Sequence, residues 1–462
     1  MSNKLILTLI FILFLFKIVA IYFTGFNLYG DEAQYWIWAK SPDVGYFSKP
    51  PLLAWFLFGY TGIFGDSFFL LKTFPLFVYF FISLTIFKLC LLLNLSKSNS
   101  FFCAASFLVM PAASLSSFII STDLLLLLFW SLSLIMILQI RIAGTNLRFF
   151  LLGSFLGLSF LAKYAGIYFL ICLVVLFIVD KKTLRSFKNN LLGVLIFFSS
   201  FVMVLLPNIY WNLNNNWITL SHTSGNANLQ NLNLNIYEPL EFLGSQILMV
   251  GPLLFLGGIF FIKNKKLNQE DILLIVFSLP IIFIVLIESF LVRANANWAA
   301  PALISIFILL FRVLVNNGLK ILQINFIINY LLAIFLFGLI LTSSKNSFFD
   351  RVRGIDVFVE QISSAINDGD LVVSDRILFS NIFYEMRNKK NKIYMTYRKG
   401  DPITNHFQMS SPLKKGYDKK FFIIGDLSDI EYMSQEHRGE LLGRFNVPFH
   451  SEELKLYEVS NN

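Results

Sequence analysis

The run LILTLIFILFLFKIVAIYF, residues 5–23, is followed after a short link by Tyr29-Gly30-Asp31-Glu32-Ala33-Gln34-Tyr35-Trp36 and then by Gly45-Tyr46-Phe47-Ser48-Lys49-Pro50-Pro51. The first run is long enough to cross the roughly 30 Å apolar core of a bilayer as a helix. No small-x-small cleavage pattern follows it, so it reads as an uncleaved first transmembrane helix rather than a signal peptide. Lys17 within it faces the bundle interior or leans toward an interface. The two stretches behind the run are polar, aromatic and acidic. Adjacent carboxylates and a lysine beside a membrane carry a desolvation cost, and that marks them as a candidate active site.

The rest of the chain repeats the signature of its beginning. Of 462 residues, 56% are hydrophobic and only 14% charged, with a mean hydropathy of +0.69, where a soluble domain carries about 25% charged residues. Apolar runs recur near 5–24, 67–94, 100–118, 122–140, 147–162, 164–180, 190–207, 240–262, 271–290, 297–314 and 320–343. This predicts a polytopic α-helical membrane protein with about 11 transmembrane helices. Residues 52–64 are too short to span and lie at the interface or re-enter. The formal charge of +9 is spread over short loops rather than along one face, so it reads as topology in the membrane and not as a nucleic-acid footprint. Cys90, Cys103 and Cys172 all fall in apolar runs, and no disulfide framework is expected.

With a cytoplasmic N-terminus, alternate loops bearing Lys97, then Arg141 and Arg148, then Lys181, Lys182, Arg185 and Lys188, then Lys263, Lys265 and Lys266, then Arg312 and Lys320 all fall inside. The external loops 25–66 and 208–239, the Ser121-Thr122-Asp123 turn, the 293–298 stretch and the C-terminal tail then share the outer face. The expected organisation is a transmembrane domain over 1–344 and a small periplasmic α/β domain over 345–462. The tail alternates short β-type runs, Leu371-Val372-Val373 and Phe421-Phe422-Ile423-Ile424-Gly425-Asp426, with a helix-like segment at 377–386. It shows no nucleotide-binding glycine motif and no metal-spaced cysteines or histidines.

Asp31 and Glu32 open a short segment carrying Tyr35, Trp36 and Trp38. A structural reading makes Asp31 a helix cap with Gln34 completing a capping box, and the tryptophans interfacial anchors. The functional reading makes Asp31, Glu32 and Asp123 acids that converge on one pocket, one taking a proton from an incoming hydroxyl; Asp123 is equally placed to act as an N-cap. Lys49, held before two prolines, suits a lipid phosphate or a headgroup. Lys163 and Arg293 are further outward cations that would support an anionic leaving group. Tyr46, Trp211, His222, Asn297 and Trp298 belong to aromatic and amide-rich segments of the kind that stack on sugars and bond their hydroxyls. His222 has no partner at ligand spacing, so no metal site is predicted.

Gly30-Asp31-Glu32-Ala33, Tyr46-Phe47-Ser48-Lys49-Pro50-Pro51-Leu52, Ser121-Thr122-Asp123-Leu124, Leu161-Ala162-Lys163-Tyr164, Pro207-Asn208 with Trp211-Asn212, and Ala296-Asn297-Trp298-Ala299-Ala300-Pro301 resemble the bacterial GT-C membrane glycosyltransferases. That group includes protein mannosyltransferases and aminoarabinose lipid A transferases, and the likeness runs from Leu5 to about Leu341. It implies transfer of a hexose or pentose, with inversion, from a polyprenyl (undecaprenyl) phosphate donor to an acceptor hydroxyl. The acceptor is a glycolipid such as lipid A, another envelope glycan or a protein, on the periplasmic side of the bacterial inner membrane. It further implies Asp31 as the main acid/base with Glu32 beside it, Asp123 as a second acid and Lys49 as a carrier-phosphate ligand. This sequence departs from the aminoarabinose transferases at Ser48, where they carry a glutamate. Neither aminoarabinose nor a metal therefore follows, and no cofactor is required, with a divalent metal left open. The competing class is a transporter or flippase for a lipid-linked or polar solute, which would want midplane charges and internal repeats.

Overall fold

A computed structural model describes residues 1–227, 234–263, 266–398, 400–414, 417, 419–425 and 437–461. Lys265 of the expected inner loops, residues 228–233 of the expected external loop and Asp426 lie outside the described residues. The chain forms two compact units, one of Met1–Ile21, Lys49–Leu53 and Phe69–Gly338, the other of Tyr22–Ser48, Ala54–Phe68 and Leu339–Asn462.

The first unit is helical. Among the described residues, 7 helices are long and apolar enough to cross a membrane, or up to 9 if each of two sharply bent pairs is one span. Other apolar runs yield shorter pieces for a local reason. Pro111 divides the run at 100–118 into Lys97–Val109 and Pro111–Ser116, since proline cannot donate the next helical hydrogen bond. The run at 147–162 gives a helix of 17 residues, Asn146–Ala162. Leu52–Phe64, at 13 residues, is a short apolar helix.

Thr122–Ile142 and Ala296–Asn317 are the most enclosed of the spans, with 83% of each apolar window buried. Both ends of Thr122–Ile142 carry charge. At its C-terminal end Arg141 Nε pairs with Asp180 at 3.2 Å, and Asp180 also caps the basic helix Lys181–Lys188 by accepting from the Lys182 and Thr183 backbone N–H groups. Arg312 pairs with Asp271 at 3.0 Å and also donates to the Leu93 carbonyl. Lys17 takes the interior position of its two alternatives: it is 5% exposed, donates to Ser117 Oγ at 2.9 Å and lies 4.8 Å from the Phe337 ring centroid. Lys72 is likewise buried and donates to the Phe118 carbonyl at 3.1 Å.

Asn146–Ala162 packs against Leu191–Asn214 through Gly153 and Gly157. A Cβ on Gly153 would stand 2.1 Å from Ser200 Oγ and 2.2 Å from the Phe197 carbonyl oxygen. Small residues four apart let the two backbones meet, as in other membrane helix pairs. Tyr237–Val250 and Pro252–Ile262 meet at an angle of 99° at Gly251, whose φ is +107°. The bend frees backbone groups, and Asn325 Oδ1, from Leu319–Leu341, accepts the Leu254 N–H at 3.2 Å.

The second unit contains a mixed sheet of β1 (Asp370–Val373), β2 (Ile393–Met395), β3 (Phe421–Gly425), β4 (His437–Phe445) and β5 (Leu454–Asn461), in the order β2-β1-β3-β5-β4. β1 runs parallel to β2 and β3, while β5 is antiparallel to β3 and β4. The helix expected at 377–386 is present as Arg376–Glu385, and with Ile355–Ile366 it covers one face through Phe358, Ile362, Leu378, Phe379 and Ile382.

Segments from the N-terminal part belong to this unit. The helix Gly30–Lys40 lies on Arg376–Glu385, with Trp36 edge-on to Tyr384 at 5.0 Å. Gly30 is required at that crossing, because a Cβ there would sit 2.4 Å from Ile377 Cγ2. Asp66 fastens the far end: it pairs with Lys40, accepts from Trp36 Nε1 at 3.3 Å, and its carbonyl accepts from the Tyr384 hydroxyl at 3.1 Å.

Ile377 is β-branched and cannot swing clear, so Gly30→Ala is expected to destabilise this unit by about 1–3 kcal/mol. Limited proteolysis of the purified chain checks this: the segment after residue 345 should be cut faster than in the unsubstituted protein.

Candidate active site

Two groups of polar side chains stand out, one in each unit. In the first, Ser121 precedes the Thr122–Ile142 helix and places Asp123 in its first turn. Asp123 is not the N-cap. Its Oδ1 accepts from Lys163 Nζ at 2.8 Å and its Oδ2 from Asn297 Nδ2 at 2.8 Å. Lys163 lies where Asn146–Ala162 ends, and Asn297 in the short 3-10 turn Ala296–Ala299. The carboxylate and ammonium side chains are 12% and 17% exposed.

Next to Lys163, the Tyr164 hydroxyl donates to Asn208 Oδ1 at 3.1 Å and accepts from Asn212 Nδ2 at 3.3 Å. Asn212 also donates to the Asn208 carbonyl at 2.9 Å. Asn208, Trp211 and Asn212 are buried. They sit on a helix because Leu191–Asn214 continues through Pro207. The stretch expected as an external loop from 208 is therefore helical as far as Asn214, and again at Ile218–Ala227.

In the second unit, Tyr29 precedes the Gly30–Lys40 helix and Glu32, not Asp31, closes its first turn: Glu32 Oε2 accepts the Tyr29 N–H at 2.9 Å. The capping of this helix by Asp31 with Gln34 is thus corrected, and the reason is a distant partner. Arg376 donates from Nη1 to Asp31 Oδ1 at 2.7 Å and to Gln34 Oε1 at 2.5 Å. Asp31 is 38% exposed at its side chain, and its Oδ2 has no hydrogen-bond partner among the described residues. One oxygen of the carboxylate is anchored and the other is open.

Tyr46 is buried in the same unit. Its ring stacks on Trp38 at 4.2 Å, and its hydroxyl accepts the Asp43 N–H at 2.9 Å and donates to the Trp38 carbonyl at 3.2 Å. Burial pushes its hydroxyl up to about 12. His406 meets both rings edge-on, at 5.4 and 5.3 Å. Burial pulls its imidazole down to about 4, against an opposing pull from Asp43. Burial alone would raise Asp66, but the Lys40 hydrogen bond and charge, with Trp36, hold it below the usual carboxylate value.

The profile of the dolichyl-phosphate-mannose-protein mannosyltransferases matches residues 48–211. The lipid A galacturonosyltransferase RgtD of Rhizobium johnstonii is 27% identical over 416 residues, 85% of each chain. The crystal structure of ArnT from Cupriavidus metallidurans bound to undecaprenyl phosphate aligns over 99% of this chain and 98% of its own with a TM-score of 0.71 at 13% identity. Its apo form aligns over 98% of both with a TM-score of 0.69 at 12% identity. The chain thus has the fold of ArnT and is similar in sequence to membrane glycosyltransferases.

The profile match spans Lys49, Asp123, Lys163 and Trp211. Lys49 is half-buried in the first unit. Arg293 is exposed, while Trp298 and His222 are half-buried. The structure brings together Asp123, Lys163 and Asn297 from three separate segments. Arg376 went unnoticed in the sequence, where its only signal is the Asp375-Arg376 pair before an apolar helix. Asn208, Asn212 and Tyr164 were within quoted motifs, yet nothing in the spacing showed that they bond one another. Among the described residues no group of three or more His, Cys, Asp or Glu is arranged to hold a metal ion.

Removing one partner of a mostly buried ion pair leaves the other uncompensated, so Lys163→Met is expected to cost about 3 kcal/mol. The double variant Asp123→Leu with Lys163→Met should cost less than the sum of the two singles; strictly additive melting shifts in detergent would show that the pair is not coupled. His406 yields a pH signature. Unfolded, it takes up a proton below its usual 6.5; folded, it does so only near 4. The second unit should therefore lose stability as pH falls through that window, by up to about 3 kcal/mol, and not above it. Hydrogen exchange of the sheet amides should report the loss, and His406→Phe should flatten it.

Proposed function

We propose that this chain transfers a sugar from a polyprenyl-phosphate carrier to a hydroxyl of an envelope acceptor, with a lipid A type glycolipid as the acceptor the RgtD likeness favours. The observation that carries the reading is the Asp123–Lys163–Asn297 cluster, an ionic group retained at the end of an apolar helix bundle and inside the segment that the mannosyltransferase profile matches for its two charged members. Ionisable residues in such surroundings either pair for structure, as Arg141–Asp180 and Arg312–Asp271 do, or act on a substrate; the partly exposed side chains of Asp123 and Lys163 favour the second. Undecaprenyl phosphate, bound in the ArnT crystal structure, supports the donor class. Ser48, where a glutamate would favour aminoarabinose, leaves a hexuronic or other sugar as the transferred group.

In the reaction, the open Oδ2 of Asp31 takes the proton of the acceptor hydroxyl. The acceptor oxygen bonds to the anomeric carbon from the face opposite the phosphate. The carbon–oxygen bond to the phosphate breaks with its electron pair, and the configuration inverts. Within the first unit, Lys49, Arg293 and Lys163 are the cations we assign to the departing polyprenyl phosphate, the charge of Lys163 being already balanced by Asp123. Arg376 keeps Asp31 aligned, and Glu32 supports the same helix turn. On this reading Trp211, His222, Asn297 and Trp298 contact the sugar or acceptor, whereas Tyr46, expected among them, is 1% exposed with its ring stacked on Trp38 and serves instead as a brace for the Gly30–Lys40 helix. The balance of atoms needs no nucleotide or redox partner.

The charge distribution supports an inner-membrane orientation with a cytoplasmic N-terminus and the α/β tail of 345–462 in the periplasm. On that orientation Arg141, about 27 Å from Asp123 along one helix at 1.5 Å per residue, marks the cytoplasmic end.

Asp31→Asn should lower single-turnover transfer from a synthetic polyprenyl-phosphate sugar to lipid A by about 10²–10⁴-fold. Product can be counted by mass spectrometry of the glycolipid. Transfer at the unsubstituted rate would overturn the role given to Asp31.

A further inference from the structure

The second unit holds a cleft of about 470 Å³ between the start of the Gly30–Lys40 helix, the 347–351 segment, the Arg376–Glu385 helix and the 448–451 turn. Tyr29 and Phe449 give it two partly exposed rings. Asp375, Asn381, His450 and Arg351 give it polar groups. Several of these are fixed by bonds that still leave an atom available. Asp375 Oδ1 accepts the Leu378 N–H at 2.7 Å as an N-cap, which leaves Oδ2. His450 Nδ1 is held by the Glu452 backbone, which leaves Nε2. Arg351 lies beside Tyr29, close enough for its positive charge to act on the phenol.

Asn381 is the residue that asks for a ligand. It is 3% exposed, its Oδ1 is buried without a hydrogen-bond partner, and no other described residue bonds its amide. An unsatisfied buried amide costs about 1–3 kcal/mol, and its natural partners are hydroxyls or water. Rings beside amide, carboxylate and imidazole groups are the composition that binds sugars, whose apolar faces lie on aromatic carbon while their hydroxyls donate and accept.

We propose that this cleft is a saccharide-binding subsite of the α/β unit, which holds part of the acceptor glycan. Its assignment to the acceptor rests on the transferase reading; saccharide binding itself does not.

The probe is the deacylated glucosamine disaccharide bisphosphate of lipid A, titrated into the full-length protein in nanodiscs and followed by saturation-transfer NMR and calorimetry. Asn381→Leu and His450→Gln are each expected to weaken binding about tenfold, the loss that follows when a hydrogen-bonding site is deprived of one partner. Asn381→Leu removes an unsatisfied polar group and should leave the melting temperature unchanged or higher, so weaker binding will not reflect unfolding. With intact lipid A as acceptor, both variants should raise KM. Absence of saturable binding in the unsubstituted protein, as for a cleft that holds water alone, overturns the proposal. So does binding unchanged in both variants. If the disaccharide binds and the variants weaken it, but no sugar is transferred from any polyprenyl phosphate, the subsite stands and the transferase reading falls.

Discussion

A carboxylate inside an apolar bundle has to be neutralised by its own chain, and the first unit is arranged around meeting that demand at Asp123. Its two oxygens draw Lys163 from the end of one helix and Asn297 from a turn far along the sequence. Neither could be replaced by water at little cost in such surroundings. The pair therefore fixes where three segments end, and through Tyr164 it extends to the amides of the Leu191–Asn214 helix. The buried pairs Arg141–Asp180 and Arg312–Asp271 meet the same demand elsewhere in the unit.

Much of this architecture is legible in the sequence, since the signals are local. Apolar length marks the helical region but overcounts its spans, about 11 expected against 7, or up to 9, long enough among the described residues; β-type runs at 371–373 and 421–425 become β1 and β3. Three kinds of feature escape. Helix ends depend on single prolines whose effect differs with context: Pro111 starts a new helix, whereas Leu191–Asn214 passes through Pro207. The close approach at Gly153 and Gly157 is visible only once a partner helix is in place. Arg376 is the clearest case, because its bond to Asp31 joins positions 345 residues apart, and no periodicity within either segment encodes it.

That bond also changes the standing of the tail. The acidic loop behind the first span forms a compact unit with the sheet, and the side chain that aligns Asp31 is supplied by the first turn of the Arg376–Glu385 helix. Glu32 serves the turn of its own helix, so two adjacent acids of like chemistry have separate tasks. The identity of each acid's partner shows this.

The bend at Gly251 has a bearing on which helices are interchangeable. A straight apolar span can be exchanged for another of equal length, since lipid reads only its surface. Leu319–Leu341 is not such a span: Asn325 stands in for a turn of backbone that the bent neighbour lacks, accepting the Leu254 N–H that the break at Gly251 leaves over. A bilayer tolerates such a break only where protein satisfies the freed backbone groups, so the bend at Gly251 depends on having Leu319–Leu341 beside it.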